Sequence, residues 1–267
     1  MEYYKVREIY PWLYSIKEMD VFCYLLVGQE SALLFDAAYG VFDLRGVVEG
    51  ITDKPYTVVL GHGHIDHVNA ATQFDSVMLH PADFELYNEH SSEDFRRGLP
   101  ESAKAAGYPV PDDYDIEAFA KSKQTKIEPL EVGRVFDLGG LHVEVIGMAG
   151  HTAGSVGLLV REHAVLLTSD SANSHVWLFL EESLPLNTYV AMLERVEKLP
   201  FTSVVVGHSD EQMDKSIFQK YITVAKNADV EKSEPYAPFG EESELKGWLY
   251  QEGDVAIVFN PNKMDGA

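Results

Sequence analysis

Four side chains able to bind a metal ion fall within residues 62–67, at the spacing H-x-H-x-D-H: His62, His64, Asp66 and His67. The run Thr57, Val58, Val59, Leu60 just before them is apolar and β-branched, and it reads as a buried strand. Residues 67–74 read as a short helix. The cluster therefore sits on a loop leaving the carboxyl end of a strand, where α/β sheets usually place ligands. Alternate side chains of an extended loop point the same way, so His62 and His64 can reach one ion together. Asp66 and His67, one turn further on, aim at a second point nearby. Imidazole nitrogen with a carboxylate oxygen suits zinc, and also iron or manganese.

A chain of 267 residues, 46% hydrophobic, can build one large α/β domain or two small ones. Its 43 acidic residues against 21 basic ones give a net charge of -22. Such a chain repels polyanions, so DNA, RNA and anionic membrane are not expected partners. No apolar run reaches the 18 or so residues of a membrane span. The first residues lack a basic stretch followed by an apolar one, so no signal peptide is expected and the cytoplasm is the default location. The lone cysteine, Cys23, lies in an apolar run and reads as a buried thiol.

Strands are expected at 22–27 and 32–35, the second ending in Asp36, and a short helix at 43–51. Asp36 stands where it can accept a hydrogen bond from a ligand histidine or from the metal loop's backbone, or simply end the strand. A strand at 77–80 stops at Pro81; His80 reads as its end rather than as a ligand, and residues 81–88 suggest a helix. Residues 89–128 are polar and carry Gly98, Pro100, Gly107, Pro109 and Pro111, which predict separate helical patches at 94–97, 101–106 and 115–121. This stretch is too long for an ordinary loop. Its aromatics, with Tyr87, either line a pocket or anchor the insertion to the body. His90, between acidic residues, reads as solvated, and His142 and His163 as exposed.

Strands follow at 134–138, 141–147, 156–160 and 164–168. Residues 171–186 read as a loop carrying Asn173, His175, Trp177 and Phe179. Residues 188–199 form an amphipathic helix, 203–206 a strand, 213–230 a long helix, and 247–250 and 255–259 two last strands.

The order of these motifs resembles the metallo-β-lactamase-fold hydrolases. Their H-x-H-x-D-H loop is followed by a G-H-T-x-G-S turn, as at 150–155, then by a strand ending in an aspartate, as at Asp170, and by one ending in a histidine, as at His208. The resemblance covers roughly 22–208. It implies a four-layer αββα sandwich, a single domain over 1–267 with a helical cap inserted at about 89–128. It also implies two divalent ions, zinc first, with His62, His64 and His151 on one, Asp66, His67 and His208 on the other, and Asp170 bridging. Asp66 and Asp170 are then the catalytic carboxylates. Paired ions lower the pKa of water from 15.7 toward about 7, so a bridging hydroxide is the nucleophile and no side chain need attack.

Departures from known branches narrow the substrate. Asp170 stands where true β-lactamases of this fold carry Cys or Ser. Asn173 stands where many acyl-homoserine lactonases carry Tyr, though an amide can still donate to an oxyanion. The acidic C-terminal part does not resemble the basic helical domain of glyoxalase II enzymes, and the overall charge disfavours the RNA-processing nucleases. Gly61 replaces the Thr or Ser common before the first histidine, which removes one supporting hydrogen bond. The expected activity is hydrolysis of a small ester, thioester or lactone. The alternatives are a small phosphodiester or phosphomonoester hydrolase and a metal-holding ligand sensor without turnover. Asn173, His175, Trp177 and Phe179 are the candidate substrate contacts, and the oligomeric state stays open, a homodimer included.

Overall fold

A computed structural model describes residues 3–265 apart from 124, 239 and 241. Its first sheet has seven strands in chain order: β1 (Lys5–Tyr10), β2 (Leu13–Glu18), β3 (Val21–Val27), β4 (Ala32–Phe35), β5 (Tyr56–Val59), β6 (Ser76–Leu79) and β7 (Lys126–Pro129). The first four pair antiparallel, and β4 to β7 run parallel. The second sheet holds β8 (Val135–Asp137), β9 (His142–Gly147), β10 (Val156–Val160) and β11 (Val165–Leu167). After an intervening β12 (His175–Leu178), it continues with β13 (Ser203–Val206) and β14 (Ser209–Asp214). A third sheet, ordered β12, β17 (Val255–Phe259), β16 (Gly247–Glu252), β15 (Glu234–Tyr236), packs against the helix at Ile217–Asn227.

Alternation along the strands makes the layers. In β3, Phe22, Tyr24 and Leu26 enter a core shared with Val143, Val145, Leu158 and Leu167 of the second sheet. Cys23 and Leu25 point the other way, into a core shared with helices. Successive side chains of a strand face opposite sides, so one apolar run serves two cores. On the far side of the second sheet, Leu159 and Leu166 pack against α6 (Leu186–Val196) and α7 (Ile217–Asn227). The result is the expected αββα sandwich.

The helices of the first face are α1 (Leu44–Ile51), α2 (Ile65–Val68), α3 (Phe84–His90), α4 (Glu93–Ala105) and α5 (Ile116–Ala120). The Asp43 carboxylate accepts the Gly46 N–H and starts α1. In place of two patches broken at Pro100, α4 runs straight through it. A helix-interior proline costs about 3 kcal/mol, but Arg96, Leu99, Pro100 and Ala103 are buried on one face of α4 and hold it together. The buried Arg96 guanidinium donates to Asn69 and Ser122. Tyr108, Tyr114 and Phe119 pack on the first-face core, and the Tyr114 hydroxyl donates to the Val41 carbonyl. With Tyr3 and Phe42, Tyr114 and Phe119 line a groove of about 520 Å³ whose lining includes none of the candidate metal-binding side chains.

Further differences concern strand assignment, β7 and β15 being strands not read from the sequence. The sheet begins with β1 and β2, ahead of the first strand read from the sequence. Residues 209–214 form the antiparallel partner of β13, so the last long helix starts only at Ile217 and ends at Asn227. Within 171–186, β12 pairs in parallel with β17, Trp177 opposite Val258. No helix among the described residues is long and apolar enough to cross a membrane.

Candidate metal centre

Four chain segments converge at one edge of the sandwich: the loop after β5, the turn between β9 and β10, the end of β11 and the end of β13. Parallel strands direct their exits to the same edge, so residues far apart in sequence meet there. Two groups result: His62, His64 and His151 in one, Asp66, His67, Asp170 and His208 in the other. Within each group the ligating atoms lie within 4.8 Å of one another. All seven residues picked out by the sequence are present. Asp170 stands between the groups, its Oδ2 being 3.9 Å from His151 Nε2 and 3.1 Å from His208 Nε2.

The outer nitrogen of every histidine is engaged. His151 Nδ1 donates to the Trp177 carbonyl at 2.7 Å, and His208 Nδ1 to the Asp20 carbonyl at 3.0 Å. His67 Nδ1 donates to Asp36 Oδ2 at 3.0 Å. His62 Nδ1 faces the Ser169 hydroxyl at 3.4 Å, and His64 Nε2 donates to Glu182. Carbonyls and carboxylates accept only, so these partners keep a proton on the outer nitrogen and leave the inner nitrogen as the one a cation can take. The Ser169 hydroxyl, donating to Asp36, is left to accept from His62. His64 Nδ1 and His151 Nε2 then face each other at 2.8 Å. Two lone pairs at that distance repel unless a cation lies between them. His62 Nε2, His67 Nε2 and Asp170 Oδ1 are buried without a hydrogen-bond partner, a cost that a metal ion would relieve. The donor set fits two divalent cations.

Electrostatics divides the groups. Burial, reinforced by the other imidazoles, pushes His62 well below its ordinary pKa and His151 down to about 4. Neutral His62 and His151 each offer a lone pair. Burial also opposes charge on His67 and His208, but Asp66 and Asp170 outweigh it, holding His67 well above its usual value and His208 at about 9. The same imidazoles hold both aspartates below the usual carboxylate range, against the effect of burial. The second group thus sets two carboxylates beside two imidazoles, a donor set whose protons a cation would displace.

Two buried carboxylates fasten the loops. Asp36, at a left-handed φ of 67°, accepts the Gly61 N–H at 2.7 Å and the Ser169 hydroxyl at 2.7 Å besides His67. Asp36 thus serves both the ligand histidine and the loop. A Cβ at Gly61 would lie 2.7 Å from Ser169 Cβ, so the Ser169 side chain occupies the space a residue 61 side chain would need. Asp83 accepts the Gly63 N–H, the Gly154 N–H and the Thr152 hydroxyl, joining the first histidine loop to the His151 turn. A Cβ at Gly207 would meet Asp170 Oδ1 at 2.3 Å, so the chain before His208 must be glycine.

The candidate substrate contacts fall unevenly. Trp177 reaches the cluster through its carbonyl, while its ring packs with Phe179 and Tyr236 against the third sheet. His175 is exposed, with its ring near Tyr236. Asn173 borders a small gap lined by Val176, Tyr189 and Tyr221. His90 is not solvated: its Nδ1 accepts the Ile65 N–H, and its ring stacks between His64 and Phe95. His80 caps the turn after β6 by accepting the Ala82 N–H. Sequence reasoning missed Asp83, Ser169 and Glu182, none of which lies in a motif that marks it.

The family model for the metallo-beta-lactamase superfamily matches residues 16–208. Among curated relatives, hydroxyacylglutathione hydrolase GloC of Haemophilus influenzae is 31% identical over 143 residues, covering 53% of this chain and 61% of that one. The acyl-coenzyme A thioesterase MBLAC2 of Homo sapiens is 26% identical over 159 residues, covering 60% of this chain and 56% of that one. The chain thus aligns with 56–61% of the length of these two relatives. A solved archaeal superfamily protein from Sulfolobus tokodaii superposes with a TM-score of 0.55 at 22% identity, covering 83% of this chain and 86% of that one. A hydroxyacylglutathione hydrolase is therefore among the relatives despite the C-terminal departure seen in the sequence.

Proposed function

The chain belongs to the metallo-beta-lactamase superfamily, and from that premise we propose that it is a hydrolase using two divalent metal ions, zinc first, on a small thioester, ester or lactone. One observation carries the reading: five histidines have their outer nitrogens tied and their inner nitrogens converging beside two carboxylates. Thioesters head the substrate classes because two curated relatives are a hydroxyacylglutathione hydrolase and an acyl-coenzyme A thioesterase.

In this reading His62, His64 and His151 hold one ion, Asp66, His67 and His208 the other, and Asp170 joins them. When bound, such ions polarise the scissile carbonyl and bring water's pKa from 15.7 toward about 7. The chain's own part is placement. Asp170, between the two histidine groups, offsets the repulsion of paired cations. Asp66, held ionised beside His67 and His208, would serve as a carboxylate ligand of the second ion and accept a hydrogen bond from a nearby water. Asp36 and Asp83 hold the loops that carry these ligands. A net charge of -22 supports a small-molecule substrate and opposes nucleic acid.

The test is a hydrolysis screen on zinc-, iron- and manganese-loaded protein over thioesters, esters, lactones and phosphoesters. Turnover of a thioester or ester that Asp170→Ala abolishes supports the reading. Turnover confined to phosphoesters, or two bound ions with none of the four classes cleaved, overturns it.

A further inference from the structure

The loop between β12 and α6 brings a carboxylate to the first histidine group that no motif announces. Glu182 meets His64 Nε2, with His64 buried and Glu182 half-buried. The two residues are 118 positions apart in the chain. The loop holding Glu182 is itself secured from three directions. Lys263 Nζ donates to the carbonyls of Leu180, Glu181 and Ser183, at 3.2, 2.5 and 3.1 Å. The Ser183 hydroxyl donates to the His151 carbonyl at 2.9 Å. The Leu184 N–H donates to the Gly150 carbonyl at 2.8 Å. A surface loop that only happened to pass by would not be tied both to the His151 turn and to a distant lysine.

Resting on the two-ion reading of the site, we propose that Glu182 is a positioning residue for the first ion. It accepts the His64 Nε2 proton, fixes the tautomer that bares Nδ1, and aims that lone pair at the point shared with His62 and His151. The chemistry requires an outside partner here. An imidazole has two nitrogens of equal reach, and without an acceptor on Nε2 the proton can sit on Nδ1, where it would block the ion. An anionic acceptor also raises the basicity of the ligating nitrogen, which a backbone carbonyl does less strongly. His151 uses the Trp177 carbonyl and His67 uses Asp36 for the same purpose. Glu182 supplies the corresponding partner for His64, and Lys263 holds its loop.

The experiment compares the full-length wild type with Glu182→Ala, Glu182→Gln and Lys263→Met. Zinc affinity is read by competition with a chromophoric chelator, and cobalt(II) is used as a spectroscopic probe of ligand number. The expected result is about 10- to 100-fold weaker binding of one of two ions in Glu182→Ala, with a changed cobalt spectrum. Glu182→Gln keeps an acceptor oxygen and should recover most of that loss, while Lys263→Met should show a smaller loss of the same ion. Circular dichroism confirms that each variant is folded. Equal affinities and spectra across wild type, Glu182→Ala and Glu182→Gln overturn the inference while leaving the two-ion reading intact. An equal loss in Glu182→Ala and Glu182→Gln overturns the hydrogen-bond role. Wild-type protein that takes up neither zinc nor cobalt overturns the two-ion reading and this inference together.

Discussion

Asp36 and His67 form a hydrogen-bonded pair sealed from solvent, Nδ1 to Oδ2 at 3.0 Å, with exposures of 0% and 1% for the histidine and aspartate side chains. The pair sets which nitrogen of His67 faces the second group. Asp36→Ala should weaken binding of the second ion by about 10- to 100-fold. It also strands the Gly61 N–H and the Ser169 hydroxyl, at about 1–3 kcal/mol for a buried unpaired donor. Metal titration and urea unfolding of the same variant read the two effects separately. Unchanged ion affinity would remove Asp36 from the site's support.

Asp83 joins two loops and touches none of the seven cluster residues by an ion pair. Asp83→Ala leaves three donors without their acceptor. A loss of stability on the order of 3 kcal/mol is expected, with activity lost at lower temperature than in wild type. Thermal unfolding tests this, and a shift of less than a degree would contradict it.

Glu18 is fully buried and accepts the Gly40 and Phe42 N–H groups. Burial raises its pKa from 4.5 to about 7, with those backbone donors pulling the other way. The folded state therefore holds a proton that the unfolded state releases above pH 4.5. The contribution of Glu18 to stability is full below that value and is lost as pH rises through about 7, by roughly 3 kcal/mol in all. Glu18→Gln cannot titrate, so the difference in urea stability between wild type and this variant should move by that order between pH 5 and pH 8. A difference independent of pH would refute the assignment.

Purified protein reconstituted with zinc should hold close to two ions per chain, since seven convergent ligands exceed what one tetrahedral ion uses. Asp170→Ala should lower that number and abolish turnover while the chain stays folded. Elemental analysis and circular dichroism check both statements, and near-normal activity in Asp170→Ala would exclude it from the site.

The cluster was legible because its information is local. His62, His64, Asp66 and His67 sit within one loop, and His151, Asp170 and His208 each follow a recognisable apolar strand. The layers were legible from alternation in residues such as 22–26. Long-range contacts were not. Glu182 meets His64 across 118 positions, and Asp83 meets Gly154 across 71, with nothing in their neighbours to mark them. Local propensity also misled where packing overruled it: α4 continues through Pro100 because one face is buried. Residues 209–214 pair with β13 despite a polar sequence typical of exposed edges. Trp177 reads from the sequence only as a candidate substrate contact; its main-chain oxygen on His151 is a contact no sequence pattern marks.

The hydrogen bonds around the centre run far along the chain: His64 meets His151 across 87 positions, His208 meets Asp20 across 188, and Lys263 meets Leu180 across 83. A polypeptide emerging from the ribosome therefore carries the H-x-H-x-D-H loop long before it carries the rest of the cage. Non-local contacts of this kind form late, after the cost of closing long loops has been met. An ion met early finds only a partial chelate, held by a flexible loop. Tight capture waits for the strand that ends before His208 to dock, so metal loading reports that the second sheet has assembled, and a nascent chain stalled short of His208 should hold its metal weakly.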